Sequence, residues 1–179
     1  MTNTRNKLEE AKYFLLRMVE VVTNRTYFKH NLSAFLSAAR SVTLIMQNEF
    51  DKIDGFKEWY IRKQNQMSTD PGMHLMNKKR VMTIHQKPVK PRGQIDVSVK
   101  EIITITEHVV AVLTHKDGTV ERIEPKQSSH PLPSQSETEI RYRWFFEEIP
   151  NKDIITLSRE YTLKLESIVR ECESKFHCN

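Results

Sequence analysis

Apolar positions recur at helical spacing through the first half of the chain. Over residues 6–24 they are three or four positions apart, which predicts an amphipathic helix with one buried stripe. That stripe consists of Leu8, Ala11, Leu15, Met18 and Val22. The same spacing predicts a second helix over residues 28–50, with an inward stripe of Leu32, Phe35, Leu36, Ala39, Val42, Thr43 and Met46.

Two further helices are predicted from their start signals. Asp54-Gly55 precedes a segment that begins with Phe56 and continues with helical spacing. Asp70-Pro71 predicts the start of the fourth helix, because Asp caps helices well and Pro suits the first helical position. This helix runs toward His85, and Pro88 is expected to stop it because proline cannot continue a helix.

The pattern changes to strand-like in the second half. Residues 95–112 are rich in Ile, Val and Thr, and Lys116-Asp117-Gly118 predicts a hairpin turn between two such runs. Residues 125–139 predict a flexible polar loop, residues 140–146 a further strand, and residues 152–175 a closing helix.

These elements predict a mainly α fold of the α+β class. A helical bundle would carry a small antiparallel β-hairpin or sheet, inserted before the C-terminal helix. Because an isolated hairpin is marginal in water, we expect a single domain over residues 1–179. The bundle is assigned to 5–88 and 150–176, and the β insertion to 93–146.

Charge points to a polyanionic partner without establishing one. The net charge is +5, and residues 78–92 contain six Lys or Arg and no acidic residue. Such runs are more often solvated linkers. Under the functional interpretation the RNA-binding candidates are Lys78, Lys79, Lys87, Lys90 and Arg92. With no long apolar run and no signal-peptide pattern, a cytoplasmic protein without membrane contact is expected.

Neither a cofactor nor a metal site is predicted. Cys172 and Cys178 are too few for a disulfide framework. Together with His177 they resemble half of a zinc site, but no second cluster accompanies them. The chain also has no glycine-rich loop that would cradle a phosphate.

Arg80 and His85 are the strongest candidates for chemistry. An arginine supplies a permanent cation and a histidine titrates near neutral pH. Metal-free cleavage of RNA by its own 2′-hydroxyl needs both, for charge on the phosphorane and for proton transfer. Five steps along a continuous helix separate the two positions by roughly 140° around its axis. The two side chains can therefore meet only if the helix unwinds before His85, or if a two-fold dimer brings two copies of the motif together in one composite cleft.

The pair also fits a family. The spacing R-x-x-x-x-H at a helix end resembles the motif of HEPN domains (higher eukaryotes and prokaryotes nucleotide-binding). Residues 31–43, 56–60, 84–89 and 144–148 look like one bacterial, uncharacterised branch of that family. The resemblance implies a HEPN-like bundle, often dimeric, and a metal-independent endoribonuclease of toxin–antitoxin or defence systems. Arg80 would contact the scissile phosphate and His85 would handle the protons. An antitoxin or another protein is the implied partner.

One departure favours a second interpretation. The family commonly has a polar residue after the arginine, whereas Val81 stands here. The alternative is a non-catalytic bundle that acts as a protein or RNA interaction module. Arg40 is a further candidate for the cleft, although arginines in such positions more often pair with a carboxylate or face solvent. The pair Trp59-Tyr60 could stack a base, but aromatic residues at helical spacing are more often core.

Overall fold

The computed structural model describes residues 1–85, 90–101, 111–123 and 136–176. Within these ranges the helices are α1 Asn3–Glu20, α2 Arg25–Phe50, α3 Phe56–Thr69, α4 Pro71–His85 and α5 Ile154–Phe176. The strands are β1 Arg92–Glu101, β2 Ala111–Thr114, β3 Val120–Ile123 and β4 Ser136–Phe145. The fold is therefore mainly α with a small β part, as the periodicity predicts. No described helix is both long and apolar enough to cross a membrane.

Contacts divide the chain into two compact units. One comprises Met1–Ile95 with Tyr142–Asn179, and the other comprises Asp96–Arg141. In the first unit α1 packs along α2, α5 contacts α1, α2 and α4, and α4 also contacts α2 and α3.

The helix starts are set by side-chain caps. The hydroxyl of Thr2 accepts from the backbone N–H of Arg5 at 2.9 Å, which begins α1 three residues earlier than the apolar stripe suggests. Asn24 caps α2 in the same way. The predicted cap at Asp70 is confirmed, because its Oδ1 accepts from the N–H of Met73 at 3.0 Å. Each cap satisfies an N–H group that the helix itself leaves unpaired.

The predicted inward positions of α1 and α2 form the core with one exception: α1 ends at Glu20, so Val22 lies beyond the helix and is only partly buried. Residues with no more than 1% exposure come from both ends of the chain, and they include Leu8, Met18, Phe28, Leu32, Phe35, Leu36, Met46, Phe146, Ile154 and Val169. Burying an aliphatic or aromatic side chain of this size contributes about 1.5–3 kcal/mol. The bundle therefore depends on the stripes that the sequence shows.

The β part follows the prediction in its hairpin and departs from it at one boundary. Strands β2 and β3 pair antiparallel, with Thr114 opposite Val120, and Gly118 takes a positive φ of 85° in the turn. Strand β1 pairs with β4. Strand β4 begins at Ser136, so residues 136–139 are strand and not loop. The rest of the predicted loop, residues 125–135, lies outside the described residues.

Candidate anion-binding site

Helix α4 positions Arg80 at the surface of the bundle with its side chain half-buried. Its Nε is buried and has no hydrogen-bond partner in the part of the chain that the structure describes. The helix is continuous to His85, so the unwinding that would bring residues 80 and 85 together does not occur. The two positions are therefore separated by roughly 140° around the axis. The His85 side chain lies outside the described set, and the catalytic pairing stays a prediction.

Arg40 of α2 is also half-buried, and its guanidinium donates a hydrogen bond to the hydroxyl of Thr43, one turn further along the helix. No ion pair to a carboxylate is found for Arg40 or Arg80 among the described residues. Both guanidinium groups are therefore partly removed from water and have no counter-ion among the described residues. Removing a charged group from water without a counter-ion costs free energy.

Tyr161 of α5 connects the two arginines. It is 7% exposed, and its hydroxyl makes no hydrogen bond to the described residues. Burial raises the pKa of Tyr161 to about 12, while the charges of Arg40 and Arg80 act in the opposite direction. Helices α2, α4 and α5 contact one another, which is consistent with both guanidinium charges acting on this hydroxyl. A tyrosine is protonated at neutral pH even at its ordinary pKa of 10.0, so the Tyr161 hydroxyl can donate a hydrogen bond.

Ser158 precedes Tyr161 by three positions on α5, so the two residues are neighbours on the helix. Ser158 is fully buried and its Oγ has no hydrogen-bond partner among the described groups, so its hydroxyl is not open to a ligand from outside. We call Arg40, Arg80 and Tyr161 the Arg40–Arg80 cluster. It offers positive charge and one hydroxyl group, and no carboxylate of the described residues pairs with either arginine. Such a set suits a phosphate group.

The predicted RNA-binding lysines are not equivalent. Lys78 is exposed, but Lys79 is only 6% exposed. The Nζ of Lys79 donates to both carboxylate oxygens of Glu148 at 2.7 Å and lies 4.7 Å from the centre of the Phe146 ring. The hydrogen bond from Lys79 is the main cause of the lowered pKa of Glu148. The Lys79 ammonium is therefore paired with a carboxylate, and its assignment to RNA contact stays a prediction.

The remaining basic candidates are spread over two segments. Lys90 and Arg92 are exposed, and the Nε of Arg92 donates to Glu147 at 2.7 Å. Lys87 lies outside the described residues, as do His177 and Cys178. Trp59 and Tyr60 are 2% and 5% exposed, so both belong to the core and neither presents a face for stacking.

Sequence reasoning named Arg80 and Arg40 but did not name Tyr161 as a site residue. Within the predicted closing helix, Tyr161 lies at helical spacing from Leu157 and Leu165, where an aromatic residue ordinarily belongs to the core. The phenol hydroxyl is the feature of the sequence that could indicate a site here. A buried tyrosine usually has a hydrogen-bond partner, so an inward-facing Tyr suggests a polar group or a ligand nearby.

Comparison with known proteins changes the family assignment. A family model described as Bacteriophage lambda protein ea47 matches residues 2–155, which is most of the chain. That family is not a HEPN family, so the HEPN resemblance is wrong; an Arg and a His five positions apart is too short a motif to identify a family. Neither a curated protein nor a solved structure matches the chain.

Proposed function

The chain belongs to the bacteriophage lambda protein ea47 family, and for this member we propose a non-catalytic helical module that binds RNA through the Arg40–Arg80 cluster. One phosphate group of the strand would accept hydrogen bonds from Arg40, Arg80 and Tyr161. The proposed compartment is the cytoplasm, where such RNA is found.

The observation that carries this proposal is a pair of arginines that form no ion pair with a carboxylate in the part of the chain that the structure describes. Arg40 and Arg80 come from different helices, α2 and α4, and both influence the Tyr161 hydroxyl of α5. Half-buried guanidinium groups without a counter-ion oppose folding, so an external anion would offset that cost. A phosphate oxygen suits arginine in particular because the guanidinium presents a planar fork of donors.

Binding is favoured over cleavage by the protonation state and geometry of the cluster. With a pKa of about 12, Tyr161 keeps its proton at neutral pH and cannot act as a general base there. The continuity of α4 separates residues 80 and 85 by roughly 140° around the helix axis, which argues against their joint action on one phosphate within a protomer. Cleavage through His85 would need a second copy of the chain.

The test is the affinity for a short single-stranded RNA, measured in chelator at several salt concentrations. We expect Arg80→Met and Arg40→Met each to weaken binding about tenfold or more, since a hydrogen bond to a charged group contributes about 1.5–3 kcal/mol. Each lost phosphate contact should also reduce the slope of log K against log salt by about 0.7.

The matched control is Arg170→Met, which removes the same charge from an exposed position on α5. It should leave the affinity nearly unchanged. Arg80→Met should unfold in urea at a concentration no lower than the unmodified protein, because it removes a cation without a counter-ion. Equal affinities for all three variants, or no RNA binding at all, would contradict the proposal. RNA cleavage that His85→Ala abolishes would replace it with the catalytic interpretation.

A further inference from the structure

A cavity lies in the same compact unit, at the start of α2. It has a volume of about 380 Å³ and is bounded by residues of α2, β1 and β4, among them Arg25, Arg92, Tyr142 and Trp144. We call it the Trp144 pocket. Its size falls in the lower part of the range for small-molecule sites, which fits a ligand of about one nucleotide.

The wall of the Trp144 pocket is held firmly. Trp144 is 6% exposed, its ring stacks on Phe28 at 4.8 Å between centres, and its Nε1 donates to the carbonyl of Val22 at 2.7 Å. Gly93 passes so close to this ring that an added Cβ would lie 2.9 Å from it. A side chain at position 93 would therefore displace the ring, and the glycine keeps the pocket in its present shape.

The pocket is positively charged. Its lining contains Arg25 and Arg92 and no acidic residue. Arg92 is neutralised in part by Glu147, but Arg25 has no ion pair with any described residue. Arg25 is also the first residue of α2, a helix with no acidic residue in its first turn. A cation at the positive end of a helix dipole is unfavourable, and a bound anion would relieve that repulsion.

The helix end does not bind the anion by itself. Asn24 Oδ1 already accepts from the backbone N–H groups of Thr26 and Tyr27, both at 3.1 Å. The Arg25 side chain is therefore the group at this helix end that would contact the anion. Tyr142 is half-buried in the lining, and its hydroxyl makes no hydrogen bond to a described residue. Because Trp144 is covered by Phe28 and Gly93, Tyr142 is the aromatic ring that remains for a planar ligand.

We propose that the Trp144 pocket binds one nucleoside monophosphate unit, with the base on Tyr142 and the phosphate on Arg25. Stacking on an aromatic ring tolerates every base, and arginine matches the phosphate. The unit could be a free nucleotide or one residue of single-stranded RNA. In the second case the inference rests on the proposed function and adds a base contact to the phosphate contact of the Arg40–Arg80 cluster.

The experiment is a calorimetric titration of the full chain with the four ribonucleoside 5′-monophosphates, with inorganic phosphate, and with a short single-stranded RNA. Arg25→Gln and Tyr142→Leu are compared with the unmodified protein, with Arg80→Met and with the control Arg170→Gln. Arg25 is exposed, so Arg25→Gln is expected to fold even if Tyr142→Leu does not.

Support would be binding of nucleotides, or of RNA alone, that weakens about tenfold in both Arg25→Gln and Tyr142→Leu. Nucleotide binding would identify a free ligand, and binding of RNA alone a nucleotide within a strand. For free nucleotides, Arg170→Gln should bind as the unmodified protein does. Tyr142→Leu separates this pocket from the Arg40–Arg80 cluster, because it removes a ring of the pocket and no group of the cluster.

Three results would overturn the inference. One is that neither nucleotides nor RNA respond to Arg25→Gln. Another is that inorganic phosphate binds as tightly as the nucleotides and loses this affinity in Arg25→Gln, since the base would then contribute nothing to binding in the pocket. The third is that Tyr142→Leu folds and binds with unchanged affinity. If only Arg80→Met weakens RNA binding, the proposed function stands and the nucleotide pocket fails.

Discussion

A single tyrosine shows how burial and charge compete at the residue scale. Tyr161 loses water on folding, which disfavours its anion, while two neighbouring guanidinium groups favour it. Burial dominates and the hydroxyl keeps its proton. From the sequence, Arg40 and Arg80 could be recognised as cations of interest, but nothing placed them near one residue. They are 40 positions apart, on helices whose packing depends on contacts that local periodicity does not encode.

Alkaline titration should detect this residue. The ordinary pKa of tyrosine is 10.0, and that of Tyr161 is about 12. Its stabilising contribution is therefore complete below pH 10 and is lost as the pH rises through about 12, with a total of about 3 kcal/mol. Absorbance of tyrosinate should show one late step that Tyr161→Phe removes.

Urea unfolding provides the second measurement for the same variant. The free energy of unfolding should fall less steeply with pH above 10 in Tyr161→Phe than in the unmodified protein. Cys172 contributes to the background in both proteins, because burial raises the pKa of its thiol to about 12. Tyrosines that all titrate together near their ordinary pKa would show that Tyr161 is not buried as described.

At the scale of elements, α5 is joined to α3 by one carboxylate. Glu171 accepts from the indole N–H of Trp59 at 2.6 Å and pairs with Lys63 at 2.7 Å. The hydrogen bond from Lys63, followed by that from Trp59, lowers the pKa of Glu171 to about 2. Contacts of this kind join elements about a hundred positions apart in the sequence. The helices can therefore be predicted from local periodicity, but which helix packs against which cannot.

Helix bounds illustrate the same limit. The apolar stripes located α1, α2 and α5 because burial follows the helical period. Helices α1 and α2 each begin three residues earlier than the apolar stripes predict, because the side chains of Thr2 and Asn24 cap them ahead of the stripes. Strand β4 begins four residues earlier than the pattern predicts, because residues 136–139 are polar and their composition is typical of a loop.

Glu171→Gln tests the connection between α3 and α5. Glutamine can still accept from Trp59 but loses the charge pair with Lys63, so stability near neutral pH should fall by about 0.5–1 kcal/mol. The carboxylate stabilises the fold above its ordinary pKa of 4.5, and this contribution is lost as the pH falls toward 2. The difference between the variant and the unmodified protein should therefore shrink in acid.

Chemical unfolding at several acidic pH values measures this difference. Glu10→Gln, which breaks an exposed pair with Lys7 on α1, is the matched control and should change stability by only a few tenths of a kcal/mol. A Glu171→Gln deficit that stays constant from neutral pH to about pH 2 would mean that charge is not the source of the connection.

At the scale of the whole molecule, charge and fold give different kinds of information. A net charge of +5 predicts attraction to polyanions but no particular site. In the linear cluster of basic residues at positions 78–92, Lys79 pairs with Glu148 and Arg92 with Glu147, and their contact with RNA stays a prediction. The contacts among α2, α4 and α5 add two cations that are distant in sequence, Arg40 and Arg80, neither of which pairs with a carboxylate among the described residues. The homodimer expected from the sequence stays a prediction, and equilibrium sedimentation would test it.

The central claim is that a phosphate of RNA occupies the Arg40–Arg80 cluster. Nuclear magnetic resonance of the arginine Nε–Hε groups during an RNA titration measures this most directly. The Nε–Hε signals of Arg40 and Arg80 should shift together and saturate at the same RNA concentration, while that of Arg170 stays in place. Saturated RNA binding with unchanged Arg40 and Arg80 signals would contradict the claim.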